Sequence, residues 1–380
     1  MAFYAYYFAL YAQVAIGITF MPLWLRSSGL SVQEIGACLA LASALAVVVN
    51  PLVGGTADRT RSNKAILFGL IVLAALAAAA MLAATGPLLV AGIYLALRFV
   101  SAPLIPLSES ILIANLAAYR LEFGRVRAWG SASVVATTLL CGFLVDKTGP
   151  AIIVIVLTLV LVLQAGLSGA LPGRAQSPAT DPVTTSAIAR ALRNRGFLLL
   201  LASAAISQAC HSLFYAYSTF RWLGAEYSTF QIGLFWTIGV AAEIVAFAFG
   251  SRITGRLSPG MIISIGCLAG VVRWGTFGSS TELVPTLFMQ LLQGATLGLT
   301  QVGVAAYLRA QVAPHFLASA TGSYAAATGL LGSLFILVGG QLYAGGSGQV
   351  FLFASTVCVL ALTSALLMVR LEKQTALTPA

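Results

Sequence analysis

Charge is scarce in this sequence. Asp, Glu, Lys and Arg make up 8% of its 380 residues against 59% for the apolar set, and the mean hydropathy is +0.97. Soluble domains carry about a quarter charged residues. A chain this poor in charge cannot cover a water-facing surface, which makes it a polytopic membrane protein. Acids are scarcer than bases, 10 against 20, leaving a net charge of +10. That excess is no sign of a nucleic-acid partner, because most Lys and Arg fall in alternate short loops, the positive-inside pattern. Two histidines are too few for a His-rich site. The five cysteines, Cys38, Cys141, Cys210, Cys267 and Cys358, all sit in apolar runs without metal-ligand spacing, so neither a disulfide framework nor a metal is expected. No Gly-rich loop with a Lys, no His-Glu metal pair and no Ser-His-Asp set is visible. The expectation is therefore no enzyme and no cofactor beyond a coupling proton. A basic leader is also missing: the chain opens into Phe3-Tyr-Ala-Tyr-Tyr-Phe-Ala-Leu10, which reads as a first span and not a signal peptide.

What is present is apolar sequence in lengths of about 20 residues, the reach of a membrane helix. Runs between polar or Gly/Pro breaks give twelve spans, at 3–25, 33–53, 65–84, 88–117, 126–145, 150–170, 197–221, 229–250, 260–278, 283–310, 316–342 and 349–369. An even number puts both termini on one side. The basic stretches Asp58–Lys64, Arg120–Arg127, Arg174–Arg195, Arg252 with Arg256, Arg309 and Arg370–Lys373 share a face, which the positive-inside bias makes cytoplasmic. The longest loop contains Pro-Gly, Ser-Pro and Asp-Pro and lacks apolar periodicity. It reads as a cytoplasmic linker at 173–196 between a six-helix bundle at 1–172 and another at 197–380. The halves echo each other: Ser31-Val-Gln-Glu-Ile-Gly36 returns as Ser228-Thr-Phe-Gln-Ile-Gly233 in the corresponding place. This is the pattern of a parallel duplication.

Four ionisable side chains lie well inside spans: Arg98, Glu109, Glu243 and Arg273. A charge near mid-membrane costs about 3 kcal/mol on insertion scales, so it normally faces a bundle interior or a watery cavity and has a partner. Arg98 and Glu109 are three helical turns apart on one face, roughly 16 Å in depth, too far to pair. Glu109 is within reach of Arg127 on the next helix, either as a static ion pair or as a proton site. Glu243 is the stronger proton-coupling candidate, because burial and a neighbouring arginine act oppositely on a carboxylate's charged form. A rearrangement that changes its distance to Arg273 then changes its proton affinity. Arg98 and Arg273 can each hold a substrate carboxylate through paired hydrogen bonds. If both are consumed by the two glutamates, a neutral ligand is favoured instead.

On span seven, Gln208, His211, Ser212 and Tyr215 make one polar-aromatic face, with Gln208 and Tyr215 expected to contact substrate and His211 either a proton relay or a hydrogen-bonded core group. On span one Tyr4, Tyr7 and Tyr11 form a stripe in which Tyr11 suits a cavity and Tyr4 an interfacial belt. Gln290, Gln293 and Thr300-Gln301 make a comparable stripe on span ten.

The stretch Gly54-Gly-Thr-Ala-Asp58-Arg59, after span two of a six-plus-six chain, resembles the loop motif of the major facilitator superfamily. It keeps the leading Gly, the Asp and the Arg but lacks the second Gly and the adjacent basic pair, and its counterpart at 251–256 has lost the acid. Further stretches resemble the bacterial 3-phenylpropionic acid transporter branch, which is lactose-permease-like. They are Phe20-Met-Pro-Leu-Trp24, Pro103–Glu109, Phe123-Gly-Arg-Val-Arg127-Ala-Trp-Gly-Ser131 and Gly270-Val-Val-Arg273-Trp-Gly275. The resemblance implies an all-α fold of two six-helix bundles and proton-coupled uptake across a bacterial inner membrane, with one chain sufficing. It also implies that the eighth-span acid and ninth-span arginine, Glu243 and Arg273, serve binding and coupling. Asp58 and Arg59, with Arg127, are then gating residues. The expected cargo is a small organic acid, an aromatic one by preference. A proton-driven exporter of hydrophobic compounds and a symporter of a neutral sugar or nucleoside are the alternatives.

Overall fold

The computed structural model describes residues 1–60, 62–173, 194–312 and 317–377. Among them, twelve helices are long and apolar enough to cross a membrane, and no residue is in a strand. They are α1 Ala2–Thr19, α2 Val32–Thr60, α3 Asn63–Ala83, α4 Pro87–Asn115, α5 Phe123–Thr148 and α6 Ile152–Gly169, then α7 Arg195–Leu223, α8 Thr229–Ala248, α9 Pro259–Ser279, α10 Leu283–Gln311, α11 Leu317–Tyr343 and α12 Ser347–Leu377. Hydrocarbon cannot satisfy backbone N–H and C=O groups, so each span closes its own hydrogen bonds as a helix.

The number and order of the spans follow the hydropathy; the departures occur at breakers. The first expected span is two helices, because α1 ends at Thr19 and a short helix, Met21–Ser27, restarts with Pro22 in its first turn. Proline lacks the N–H that a continuous helix would need there. Span four is interrupted at Ala102 and Pro103, between segments Pro87–Ser101 and Leu104–Asn115. The expected loop after span two is mostly helix: α2 runs on through Asp58 and Arg59 to Thr60, and α3 starts at Asn63. Arg59 in its last turn suits the negative end of the helix dipole.

The described residues fall into two compact units, one of 1–173 with 222–237 and one of the remainder. The expected linker at 173–196 lies outside the described residues except at its ends. In the first unit α1 packs against α5 and α6, and α3 against α4 and α6. Tyr6, Tyr7, Leu10, Leu67, Ile71, Leu104, Ile111 and Val126 meet in its core. In the second unit α9 lies against α12 and α10, with Phe197, Leu200, Ile263, Cys267, Val304 and Met368 buried together. Among the described residues two turns are π-helical, Leu201–Ala205 in α7 and Gly294–Leu299 in α10. Arg221, in the last turn of α7, donates to Phe277 O (2.7 Å), Gly278 O (3.0 Å) and Ser347 Oγ (2.9 Å), satisfying carbonyls at the end of α9.

Within the first unit the start of α8 is tied to the end of α5. Asp146 accepts from Thr229 N (2.8 Å), Thr229 Oγ1 (2.6 Å) and Phe230 N (3.0 Å), and Thr229 Oγ1 also reaches Gly142 O at 2.7 Å. The carboxylate thus caps two of the N–H groups that a helix start leaves without partners. The helices cross so closely that a Cβ on Gly142 would lie 2.5 Å from Thr229 O, and one on Gly233 would lie 2.7 Å from Thr138 O. Asp146→Ala should cost about 0.5–2 kcal/mol, the usual worth of such a cap. The change is read as a lowered midpoint of thermal unfolding in detergent. Asp146→Asn, which keeps one acceptor oxygen, should fall between the two.

Candidate functional site

Arg273 has no exposed surface, yet it carries a guanidinium. A cation buried that deeply survives only if its donors find acceptors. One terminal nitrogen donates to Thr296 Oγ1 (2.9 Å) and to His211 Nε2 (3.1 Å), and the other to Gln293 Oε1 (2.7 Å) and Gln290 Oε1 (3.2 Å). Four of the five N–H donors are occupied, and Nε is the donor left over. The faces of Trp274 and Phe214, 4.4 and 4.9 Å from the guanidinium carbon, add cation–π attraction. Such contacts are worth about 2 kcal/mol when desolvated. Every one of these partners is neutral.

The tautomer of His211 follows from its neighbour. An arginine only donates, so Nε2 of His211 accepts, and the ring proton belongs on Nδ1. Thr296 Oγ1 lies 3.1 Å from the same Nε2. Gln208, one turn before His211 on α7, donates to the carbonyls of Thr296 (3.3 Å) and Leu297 (3.5 Å) in the π turn of α10. Glu243, half-buried on α8, is near enough for its charge to act on Arg273 and on the half-buried Tyr215. A Cβ on Gly239, one turn before Glu243, would lie 2.7 Å from Gln293 Oε1, so α8 approaches the cage at backbone distance. Helices α7, α8, α9 and α10 of the second unit thus bring together Gln208, His211, Tyr215, Glu243, Arg273 and Gln293.

The first unit holds two separate clusters. Arg127 lays its guanidinium over the Tyr11 ring, 4.0 Å from its centre, while Gly130 packs against the same ring. Glu109 is half-buried close by, and its charge acts on Tyr7, Tyr11 and Arg127. Among the described residues no ion pair within 4 Å joins Glu109 to Arg127, and Arg127 packs instead on the Tyr11 ring of α1. Arg98 sits elsewhere, on the wall of a cavity of about 130 Å³ that is also lined by Gln13, Gly17, Met21, Tyr94 and Ile105. Arg98 is half-buried, and among the described residues no hydrogen bond or ion pair engages its side chain. Arg59 is exposed at the end of α2, and the side chain of Asp58 lies outside what the structure describes.

Sequence reasoning missed Thr296, Phe214 and Gln13. Thr296 had a signal: Gly294-Ala-Thr-Leu-Gly298 is a small-x-x-x-small run, which marks close helix approach in a membrane. Phe214 and Gln13 had none, since one aromatic or one amide in a span is unremarkable.

Comparison with known proteins gives these sites a setting. Residues 1–355 match the model of the MFS_1 like family. Over 315 residues, 80% of this chain and 81% of its relative, the sequence is 27% identical to an Escherichia coli (strain K12) protein described as "Probable 3-phenylpropionic acid transporter". It is 25% identical over 373 residues to the maltose permease of Geobacillus stearothermophilus, covering 97% of this chain and 94% of that one. Among solved structures, nucleoside transporter NupG superposes with a TM-score of 0.85 over 97% of this chain and 98% of the other, at 16% identity, which shows a shared fold. The resemblance in the sequence therefore holds. The twelve-helix architecture is that of major facilitator transporters, the protein is a multi-pass secondary transporter of small molecules and not an enzyme, and the chain belongs to the MFS_1 like family.

Proposed function

We propose that the protein is a proton-coupled symporter that takes up a small organic acid, an aromatic one by preference, with both termini on the cytoplasmic side of a bacterial inner membrane. The observation that carries this reading is the contrast between the two intramembrane arginines. Arg273 has its terminal donors filled by four neutral side chains, whereas Arg98 faces a cavity with its donors unused. A substrate carboxylate reaches Arg98 without displacing anything, and the aromatic and aliphatic wall around it, Tyr94 with Met21 and Ile105, suits a ring. The cavity of about 130 Å³ takes a carboxylate and a few carbons, and the rest of the ligand extends beyond it. The relative described as a 3-phenylpropionic acid transporter points to the same class.

Proton coupling falls to Glu243 in this reading. Arg273, always charged, sits beside it as a fixed cation, so Glu243 loses its proton when Arg273 is near and regains it when the helices part. Glu109, among Tyr7, Tyr11 and Arg127, is the second carboxylate able to carry a proton. A neutral cargo is the competing reading. Gln208, Gln290, Gln293 and Thr296 can exchange hydrogen bonds with hydroxyl groups, and a maltose permease is among the relatives.

Four outcomes test the proposal in proteoliposomes with an imposed proton gradient. Among 3-phenylpropionate, benzoate, hexanoate, maltose and uridine, the aromatic acids should accumulate, and accumulation of maltose or uridine alone would overturn the reading. Glu243→Gln should keep substrate exchange and lose gradient-driven accumulation; undiminished accumulation contradicts the assignment. Arg98→Lys should raise KM for 3-phenylpropionate by about tenfold or more, the worth of a lost bidentate pairing. Arg273→Lys should mainly change the pH dependence of uptake, and equal KM effects from the two substitutions would remove the distinction between them.

A further inference from the structure

The π turn of α10 touches both charges of the second unit. On one side its glycines lie against the backbone of α8: a Cβ on Gly294 would be 2.5 Å from Ala242 O, and one on Gly298 would be 2.7 Å from Ala246 Cβ and 3.4 Å from Glu243 O. On the other side Thr296 accepts from Arg273 and contacts His211. Gln293, at the start of the turn, accepts from the second terminal nitrogen of Arg273. The six residues Gly294–Leu299 are therefore the mechanical link between the segment that carries Glu243 and the guanidinium of Arg273.

A π turn holds one residue more than an α turn, and its carbonyls accept from the i+5 N–H in place of the i+4 one. A side-chain donor that reaches those carbonyls adds a hydrogen bond to this arrangement. Gln208 is that donor. Its side chain is 7% exposed, and Nε2 points at Thr296 O and Leu297 O together. If α10 rewound to a regular α-helix, residues on one side of the turn would rotate about 100° against those on the other. Thr296 and Gln293 could not then both stay on Arg273.

We propose that Gln208 is a positioning residue: its amide holds the π turn of α10 in the register that seats Thr296 and Gln293 on Arg273. Gln208 was expected from the sequence to contact substrate. In this assignment it acts through α10, whatever solute the protein carries.

The test is amide hydrogen exchange of the full-length protein in lipid nanodiscs without any solute, so that it fails or succeeds separately from the substrate assignment. Gln208→Leu should speed exchange in peptides covering 294–300 by about tenfold or more, the equivalent of one lost buried hydrogen bond, with α12 unchanged. Thr296→Val combined with Gln208→Leu should add less than the sum of the single effects, because both act on one turn. Gln208→Glu separates a donor from a mere space-filler: once protonated, its carboxyl donates again. After correction for intrinsic rates it should regain wild-type protection as the pH is lowered, while Gln208→Leu does not. Wild-type exchange at 294–300 in Gln208→Leu overturns the proposal, as does faster exchange spread evenly over all helices of the unit, or a Glu variant blind to pH.

Discussion

An arginine sealed from water dictates the construction around it. Arg273 cannot give up its charge, and the hydrocarbon setting offers no solvent to share it, so acceptors must be brought from two other helices, α7 and α10. The glutamines of α10, the threonine of its π turn and the neutral imidazole of His211 are those acceptors, and two aromatic faces close the remaining sides. The irregular turn in α10 follows from the same demand, because it carries Thr296 to the guanidinium while its glycines let α10 approach α8 at backbone distance. Removing any one acceptor would leave a buried donor unmatched.

A cation held by neutral groups is a fixed electrostatic reference. It changes the proton affinity of a nearby carboxylate without itself being consumed, which a strict Arg–Glu ion pair would not do. Glu243, on the helix that the π turn grips, is the carboxylate so placed. The second intramembrane arginine, Arg98, has the opposite character: a cavity in front of it and unused donors. In the proposed function one arginine sets the proton and the other meets the anion, and the two tasks do not compete for the same hydrogen bonds. The first unit adds a third arrangement, in which Arg127 stacks on Tyr11 beside Glu109.

Much of the fold was legible because membrane helices write their length and polarity directly into sequence. The twelve spans and the family followed from apolar runs and from motifs such as Gly270-Val-Val-Arg-Trp-Gly275. Isolated charges such as Arg98, Glu109, Glu243 and Arg273 were visible for the same reason. What sequence hid was local irregularity and partnership. The break at Ala102–Pro103 inside span four and the π turn at Gly294–Leu299 leave no mark in the hydropathy. Arg127 chose a ring over a carboxylate, a choice of geometry that composition cannot express. Asp146, which the sequence did not single out, caps a helix that begins 83 residues later.

The claim that a fixed Arg273 sets the proton on Glu243 is tested most directly by proton release and uptake in weakly buffered detergent solution. Adding saturating 3-phenylpropionate to the wild-type protein should draw close to one proton from solution, and adding it to Glu243→Gln should draw none. Equal proton uptake by the two proteins would place the coupled proton elsewhere and contradict the account.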